Sequence, residues 1–291
     1  MHILEFLFKV PKKLGLLNWL SDERYVKLQY AVDMGRFPDF QNPRRLTEKL
    51  NWLKIHDHNP LYTTLVDKWD VMDYVSERIG EGYCIKKFGV WNSFDEIDFD
   101  ALPDQFVLKC THDSGGIVIC KDKASFNKAA ARRKLNRSMK RSYYWHAREW
   151  PYRNIHPRIL AEEFLTDLSG NGLIDYKFFC FDGEPEFMYI ATGRADGNTR
   201  FDFYDRDFNW LPVRQHCPNA DIHPEKPQGY EEMLELAREL SRGLKHVRVD
   251  FFQSGGKVYF GELTMYHLCG YERFEPDEFD FKFGEYLKLD L

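Results

Sequence analysis

Two predicted strands near the carboxyl end of the chain carry charged side chains at alternate positions. Residues 247–252 (VRVDFF) and 257–263 (KVYFGEL) alternate between apolar and polar residues, and the connecting residues 254–256 (SGG) are typical of a hairpin turn. A three-residue turn would pair Gln253 with Lys257. A four-residue turn is the alternative, and it would move the charges of the second strand to the opposite face of the hairpin.

The three-residue register brings three charges to one face. Arg248 then faces Glu262, and Asp250 lies diagonally beside Glu262. Two carboxylates that converge on one point are unstable unless a cation neutralises them, and oxygen ligands suit Mg²⁺ in a nucleotide site. The spacing therefore predicts Asp250 and Glu262 as Mg²⁺ ligands. An exposed strand face with an Arg–Glu pair is the alternative.

A glycine-containing loop in the first half of the chain is a second candidate site. The apolar runs FVLKC and IVIC predict a hairpin around the polar sequence THDSGG within residues 106–120. The backbone amides of Ser114, Gly115 and Gly116 are unobstructed, so they can bind phosphate oxygens while Lys109 adds a positive charge. Neither GxxxxGK[ST] nor GxGxxG occurs in the sequence, and a purely structural glycine turn is the alternative.

Helices and strands both contribute to the elements that position these residues. Residues 1–75 have mainly helical spacing, and Asp67 is predicted to cap a helix over 68–78. Further helices are predicted over residues 123–141 and 229–243. Strands are predicted over residues 106–110, 117–120, 158–165, 176–181, 186–192, 247–252 and 257–263. The pattern predicts an α+β fold with predominantly antiparallel strands.

Composition and charge limit the class of protein. A length of 291 residues, with 43% hydrophobic and 30% charged residues, fits a globular enzyme with one large domain or two lobes. The net charge of -5 argues against a dedicated nucleic-acid-binding protein. The six cysteines form no CxxC pair, which favours reduced thiols in a cytoplasmic protein.

The first twenty residues are apolar but are interrupted by charges. Glu5, Lys9 and Pro11 interrupt the apolar run, which argues against a secretory signal and against a membrane span. Aromatic residues and leucines beside lysines are also typical of a helix that lies on an anionic membrane surface, here the inner face of the plasma membrane. A helix that packs on the fold is the alternative.

The order of these motifs resembles that of the ATP-grasp superfamily. Asp67 and Lys68 at the start of a helix resemble the first phosphate-contacting lysine of that family, and FVLKCTHDSGGIVIC resembles its second lysine strand with a flexible glycine loop. ILAEEFL is similar to the hinge that binds adenine, and VRVD and GEL are similar to the magnesium strands. The resemblance implies an ATP-grasp fold, in which two α+β lobes with largely antiparallel sheets sandwich ATP.

ATP and Mg²⁺ are the cofactors that the resemblance implies, and it gives roles to particular residues. Lys68 and Lys109 would hold the ATP phosphates, Ser114, Gly115 and Gly116 would close above them, Glu162, Glu163, Phe164 and Leu165 would bind adenine, and Asp250 and Glu262 would hold the metal. The implied regions are a mainly helical one at residues 1–75, a small lobe at 76–165 and a C-terminal lobe at 166–291.

Longer stretches resemble the TupA-like branch, which is named for teichuronopeptide biosynthesis and is associated with bacterial cell-surface polysaccharide loci. They include LTEKLNWLK, NPLYTTLVDKW, DYKFFCFDGEPEF and VRVDFF. Two features depart from the superfamily pattern. Thr264 stands where an Asn is usual, and the following MYHLCG lacks the usual proline-rich run, which leaves His267 without a role.

The chemistry implied by the resemblance is that of a carboxylate-amine ligase. A carboxylate attacks the γ-phosphate of ATP, and an amine then displaces phosphate from the acylphosphate. The transferred phosphoryl group must be neutralised, and Arg248 is the arginine that the strand pattern favours for this catalytic role. Arg194 is the second candidate, with an exposed arginine at a strand end as the alternative.

Residues 121–158 carry the substrate prediction. They contain twelve Lys or Arg residues and only two acids, with tyrosines and tryptophans interleaved. We therefore expect a uronic-acid-containing glycan or its precursor as the carboxylate substrate, as in polysaccharide or capsule biosynthesis, and an amino acid or simple amine as its partner. Arg132, Arg133 and Arg137 are expected to contact the glycan. A solvated basic helix is the alternative.

Two other functions fit parts of the sequence. The triplet Asp205, Arg206 and Asp207 is a DxD motif, which would suit a glycosyltransferase that holds a metal and a sugar nucleotide. The triplet lies among aromatic and turn residues, so a polar hairpin tip is the alternative. A non-catalytic scaffold that binds glycan or membrane would use the basic segment, but it would leave the charges at Asp250 and Glu262 unexplained.

Overall fold

The computed structural model describes residues 2–166, 173–194 and 197–291, with side chains from residue 8 onward. The helices in these ranges are α1 (His2–Lys13), α2 (Asp22–Met34), α3 (Leu46–His56), α4 (Leu61–Val66), α5 (Val71–Ile79), α6 (Lys128–Met139), α7 (Tyr144–Ala147), α8 (Tyr230–Ser241) and α9 (Glu278–Gly284). The predicted C-terminal lobe includes residues 167–172 and 195–196, which lie outside the described part of the chain.

Ten strands occur in the same ranges and form two sheets. They are β1 (Lys87–Trp91), β2 (Phe106–Cys110), β3 (Ile117–Cys120), β4 (Ile159–Glu163), β5 (Asp175–Phe181), β6 (Glu184–Thr192), β7 (Arg200–Asp205), β8 (Trp210–Leu211), β9 (His246–Ser254) and β10 (Lys257–Thr264). The smaller sheet has the order β1-β4-β2-β3 and the larger one β10-β9-β5-β6-β7-β8. The described pairings are antiparallel, which confirms the predicted α+β class.

The larger sheet is covered on both faces, so its central strand β5 is buried along its whole length. On one face Phe178 packs against Tyr230 of α8, with ring centroids 5.9 Å apart. On the other face Phe187 stacks on Phe283 of α9 at 3.8 Å. A strand between two layers needs apolar side chains at nearly every position. The buried lysine of β5, Lys177, is therefore an exception that requires charged partners.

The N-terminal helices pack on the larger sheet. Leu50 and Leu53 of α3 and Val75 of α5 belong to the same hydrophobic core as the strands of that sheet. The start of α3 is also fixed to α9, because the amide and the hydroxyl of Thr47 donate to the carboxylate of Asp280 at 2.9 and 2.6 Å. The division of the chain after residues 75 and 165 stays a prediction.

Helix α6 covers the smaller sheet and is shorter than predicted. It runs from Lys128 to Met139 rather than over residues 123–141. The Asn127 side chain accepts a hydrogen bond from the amide of Ala130 at 2.9 Å, and this cap determines where the helix starts. The buried side chain of Leu135 places α6 in the core beneath the hairpin formed by β2 and β3.

The N-terminal segment forms α1 and then an exposed turn. Phe8 packs against Tyr25 of α2, with ring centroids 5.6 Å apart, whereas Trp19 is 78% exposed. Among the described residues no helix has the length and apolar character needed to cross a membrane. Contact of this segment with a membrane surface stays a prediction.

Candidate active site

The turn between β9 and β10 has two residues, so the predicted three-residue turn is wrong. Ser254 pairs with Lys257, and Gly255 and Gly256 form the turn with φ values of 58° and 78°. Two successive positive φ values are typical of the tightest hairpin turns, and glycine adopts them without strain. A turn shortened by one residue would by itself place Glu262 on the face opposite Asp250.

A β-bulge restores the shared face. The register shifts between Phe260 and Glu262, so Gly261 is an extra residue in β10 and Glu262 pairs directly with Asp250. A Cβ atom on Gly261 would lie 2.9 Å from the Phe252 ring and 3.0 Å from the Asp250 carbonyl oxygen, which explains the glycine. The two carboxylates share a face as predicted. Arg248, however, pairs with Thr264 and not with Glu262 as predicted.

Two buried cations surround Asp250. Arg248 donates to both carboxylate oxygens of Asp250, at 2.6 and 2.7 Å. Lys177 of the neighbouring strand β5 also contacts Asp250, and its Nζ lies 3.2 Å from Asp175. Burial alone would lower the pKa of Arg248, but the Asp250 carboxylate raises it, so the guanidinium stays charged. Lys177 was not among the residues predicted for this site, although a lysine within the apolar run YKFFCF is a recognisable signal.

Glu262 is the accessible acid of this cluster, with a side chain that is 41% exposed. Its Oε1 lies 3.3 Å from Nη2 of Arg248. The protein that surrounds Glu262 opposes its ionisation even though part of the side chain is exposed, but the charges of Lys68, Lys177, Arg248 and Lys109 lower its pKa to about 2. The carboxylate is therefore ionised at neutral pH, and lysines from distant parts of the chain act on it.

Only part of the predicted metal site is open to a metal ion. Both oxygens of Asp250 already accept hydrogen bonds from Arg248, whereas Glu262 faces outward. The described residues contain no group of three or more acidic, histidine or cysteine side chains arranged around one point. Mg²⁺ in nucleotide sites commonly uses one or two carboxylates together with phosphate oxygens and water. Glu262, with Asp250 beside it, fits that requirement.

His267, which the sequence left without a role, orients Arg248. Nη1 of Arg248 lies 2.7 Å from Nδ1 of His267, and a guanidinium can only donate, so Nδ1 must accept. Nε2 then carries the proton and donates to Oε1 of Gln215 at 2.9 Å. Burial and the charge of Arg248 hold the pKa of His267 well below its usual value. Thr264 accepts a further hydrogen bond from Arg248 at 3.0 Å.

Arg194 reaches the same cluster from the end of β6. Its Nε lies 3.0 Å from Oδ2 of Asp175, and Asp175 is the second partner of Lys177. Half of the Arg194 side chain is exposed, so the guanidinium is accessible to a ligand. Arg194 and Arg248 thus belong to one cluster, because Lys177 contacts both Asp175, the partner of Arg194, and Asp250, the partner of Arg248. Their catalytic roles stay predictions.

Lys68 lies in a turn and does not start a helix as predicted. The Asp67 carboxylate accepts hydrogen bonds from the amides of Trp69 and Asp70 at 2.8 and 3.0 Å, and α5 begins only at Val71. Nζ of Lys68 donates to the backbone oxygen of Asp113 at 2.6 Å. This lysine therefore holds the glycine loop that the sequence associated with phosphate.

The glycine loop connects β2 and β3 as predicted, and its last glycine has a packing role. The amide of Gly116 donates to Oδ1 of Asp113 at 3.0 Å. A Cβ atom on Gly116 would lie 2.6 Å from Sγ of Cys110, so only glycine fits there. Ser114 and Gly115 are exposed and leave their backbone accessible. Binding of phosphate by Ser114, Gly115 and Gly116 stays a prediction.

A buried carboxylate joins Lys109 to a second lysine that the sequence analysis missed. Glu162 of β4 is buried, contacts Lys109, and accepts a hydrogen bond from Nζ of Lys87 at 2.6 Å. Burial opposes ionisation, but Lys109 and Lys87 lower the pKa of Glu162 to about 2. Glu163 faces solvent, and Phe164 and Leu165 follow the strand half-buried. Binding of adenine by residues 162–165 stays untested.

Replacing Glu162 with Gln should change how the free energy of unfolding depends on pH in the acid range. Because the pKa of about 2 in the folded state lies below the ordinary 4.5, ionised Glu162 stabilises the fold above pH 4.5, and that contribution is lost as the pH falls towards 2. We expect the wild type to exceed the variant by roughly 3 kcal/mol in free energy of unfolding at neutral pH. Urea denaturation at several pH values should show this difference shrinking below pH 4.5; a pH-independent difference would contradict it.

The basic segment does not form one surface. Arg148 is buried beside Asp22, with Nη1 and Oδ1 3.1 Å apart, and Arg158 pairs with Asp70 at 2.7 Å. Arg132 pairs with Asp95 at 2.6 Å. These arginines stabilise the fold or are neutralised locally. The expectation that Arg132 contacts a glycan is therefore weakened by its acidic partner.

The DxD triplet forms the turn between β7 and β8. Oδ1 of Asp205 accepts hydrogen bonds from the amides of Asp207 and Asn209 at 3.0 and 2.8 Å, and Oδ2 accepts one from the Asn209 side chain at 3.0 Å. Asp205 therefore stabilises the turn with both of its carboxylate oxygens. This agrees with the alternative that the triplet is a polar hairpin tip.

Comparison with known proteins identifies the family. The sequence profile of the family described as TupA-like ATPgrasp matches residues 48–288. No curated protein matches the chain. Similar solved structures include D-cycloserine synthetase DcsG, with 15% identity over 79% of this chain and 72% of that chain and a TM-score of 0.43. The ATP-grasp ligase PsnB, complexed with a phosphomimetic variant of its minimal precursor, Mg and ADP, has 10% identity over 95% and 74% with a TM-score of 0.43.

A further similar structure is D-alanine-D-alanine ligase from Bacillus anthracis complexed with ATP, with 14% identity and a TM-score of 0.39. The alignment covers 69% of this chain and 54% of the ligase, so the chain spans little more than half the length of that protein. The family profile, in contrast, extends over most of the chain and includes both sheets. The chain therefore belongs to the TupA-like ATP-grasp family.

Proposed function

We propose that this protein is an ATP-dependent carboxylate-amine ligase that uses ATP and Mg²⁺ and acts through an acylphosphate. The carrying observation is that Glu262 lies 3.3 Å from Arg248 and pairs with Asp250, which Lys177 contacts. The charges of Lys68 and Lys109, at the glycine loop, also lower the pKa of this carboxylate. Cations from two sheets around one ionised acid suit a site that neutralises a transferring phosphoryl group. Membership of the ATP-grasp family supports the same reaction class.

Each group has a separate task in this reaction. Lys68 and Lys109 neutralise the ATP phosphates, and the exposed backbone at Ser114 and Gly115 closes over them. Glu262, with Asp250 beside it, holds Mg²⁺, which would supply charge neutralisation at the phosphate oxygens. Burial raises the pKa of Asp250, and Arg248 opposes this by stabilising the charged carboxylate, which its two hydrogen bonds also fix in position. Arg194, which is half exposed, is available to contact the carboxylate substrate.

The substrate that we propose is the carboxylate of a uronic-acid-containing glycan, or of its precursor, with an amino acid or simple amine as the partner. Residues 121–158 support this choice, because they hold twelve basic and only two acidic residues in a chain with a net charge of -5. We place the reaction in the cytoplasm, where ATP is available, with α1 near the inner face of the membrane.

Product analysis tests this proposal against its rivals. Purified protein is incubated with ATP, Mg²⁺, and pairs of candidate acids and amines, and ADP and phosphate are quantified. The ligase proposal predicts ADP and phosphate that require both the acid and the amine. Release of UDP from a sugar nucleotide would favour a glycosyltransferase, and the absence of both products would favour a non-catalytic scaffold.

A further inference from the structure

A cavity of about 430 Å³ adjoins the glycine loop on the side of α6. One wall contains the exposed residues Ser114 and Gly115 of the loop, and the opposite wall contains the side chains of Lys134, Arg137 and Arg141. Lys134 and Arg137 are three residues apart and lie on one side of α6. Arg141 follows two residues after the end of the helix and lines the same cavity. A ligand in this cavity would contact both the cations and the loop that we assign to the ATP phosphates.

These cations have no acidic partner in the part of the chain that the structure describes. None of Lys134, Arg137 and Arg141 makes an ion pair there, whereas Arg132 of the same helix pairs with Asp95 at 2.6 Å. Asp113 also lines the cavity, but it accepts hydrogen bonds from the amide of Gly116 and from the hydroxyl of Ser138. Three cations against the one carboxylate of Asp113 leave the cavity with positive charge that the described residues do not neutralise.

Buried hydrogen bonds fix the geometry of the cavity. Nε2 of His112 lies 3.3 Å from the carbonyl oxygen of Ser138 and 3.1 Å from that of Arg141. The hydroxyl of Ser138 donates to Asp113, and these three side chains of the loop and α6 are all buried. Lys68 holds the same loop at the Asp113 carbonyl. Hydrogen bonds thus join the cavity wall that carries the cations to the wall formed by the glycine loop.

We propose that this cavity binds a second anionic group of the acid substrate, so that the enzyme selects acids with at least two negative groups. The inference rests on the proposed ligase function and specifies its substrate. Guanidinium groups bind carboxylate and phosphate oxygens in pairs of hydrogen bonds, and the Tyr143 ring, which also lines the cavity, offers a flat surface to a sugar. The second group is either a neighbouring uronate carboxylate in an oligomer or the diphosphate of an activated uronic acid.

Direct binding measurements test the cavity without requiring turnover. The variant Arg137→Gln/Arg141→Gln is compared with Lys140→Gln, a control at the C-cap of the same helix. Lys140 is exposed and lies outside the cavity lining. Calorimetry gives the dissociation constants of trigalacturonic acid, UDP-glucuronic acid, galacturonic acid and ATP. Thermal unfolding of each variant verifies that these surface substitutions leave the fold intact.

The double variant should bind at least one of the two polyanionic probes about tenfold or more weakly, because two charge-assisted contacts are lost. ATP binding should stay within about twofold of the wild type, and Lys140→Gln should match the wild type for every probe. Loss confined to trigalacturonic acid would identify an oligomeric substrate, and loss confined to UDP-glucuronic acid an activated monomer.

Two results would overturn the cavity proposal. One is that the wild type binds neither polyanionic probe, and the other is that the double variant binds both as tightly as Lys140→Gln does. These outcomes are distinct from failure of the ligase proposal, which would appear as absence of acid- and amine-dependent ADP formation while probe binding still depended on Arg137 and Arg141.

Discussion

Replacement of Glu262 by Gln should lower the rate of ADP formation by about a hundredfold or more. Glutamine has nearly the same shape, so the substitution removes the negative charge of the accessible acid in the cluster. The side chain is 41% exposed, unlike that of the buried Glu162, so solvent screens its interactions with the surrounding cations. We therefore expect a change of less than about 1 kcal/mol in the free energy of unfolding. A coupled assay for ADP with saturating ATP, Mg²⁺ and substrates measures the rate, and urea denaturation measures the stability.

The matched control is Asp207→Asn, which removes an exposed carboxylate from the turn of the DxD triplet in the same sheet. A ligase that uses Glu262 should retain its activity in this variant to within about twofold, since Asp207 lies outside the cation cluster. The opposite pattern, with activity lost in Asp207→Asn and kept in Glu262→Gln, would contradict the assignment of the site and favour the glycosyltransferase.

Replacement of Lys177 by Met should destabilise the protein by about 3–5 kcal/mol. Lys177 is buried between Asp175 and Asp250, and its loss leaves those carboxylates with less compensation in a region that excludes water. Breaking a buried ion pair costs far more than removing an exposed charge. Urea denaturation provides the free energy of unfolding, and ADP formation should fall in parallel as Asp250 loses its fixed position.

Lys257→Met is the control for this substitution, because Lys257 is an exposed lysine of β10 in the same sheet. The control should change the free energy of unfolding by less than about 0.5 kcal/mol. The double variant Lys177→Met/Asp175→Asn should be less destabilised than Lys177→Met alone, since it also removes the carboxylate that has lost its buried partner, and the half-exposed Arg194 left behind can be solvated. A Lys177→Met protein as stable as the wild type would show that this buried pairing contributes nothing.

Local sequence patterns predicted the strands well, because alternation and turn residues act over a few neighbouring positions. The strands Phe106–Cys110 and Ile117–Cys120 lie where the apolar runs FVLKC and IVIC predicted them. The shared face of Asp250 and Glu262 was also predicted, but through a wrong register. The shorter turn and the bulge at Gly261 compensate for each other, and the bulge depends on contacts of Gly261 with the neighbouring strand.

Long-range partners could not be predicted from spacing. Lys177 contacts Asp250 across 73 positions in the sequence, and His267 is joined to Gln215 across 52. Nothing near either residue in the sequence specifies its partner, since the pairing arises from the order of strands in the larger sheet. The number of charges in residues 121–158 likewise does not show which of them reach the surface. Arg148 is buried in the folded chain, whereas Arg137 lines a cavity.

The acylphosphate intermediate predicts a specific fate for one oxygen atom. An acid that supports ADP formation is labelled with ¹⁸O in its carboxylate and incubated with ATP, Mg²⁺ and amine. The carboxylate oxygen that attacks the γ-phosphate stays bonded to phosphorus when the amine displaces phosphate from the acyl carbon. Mass spectrometry of the released phosphate should therefore find one ¹⁸O atom transferred from the acid. Phosphate without the label, released together with amide product, would contradict the proposed reaction.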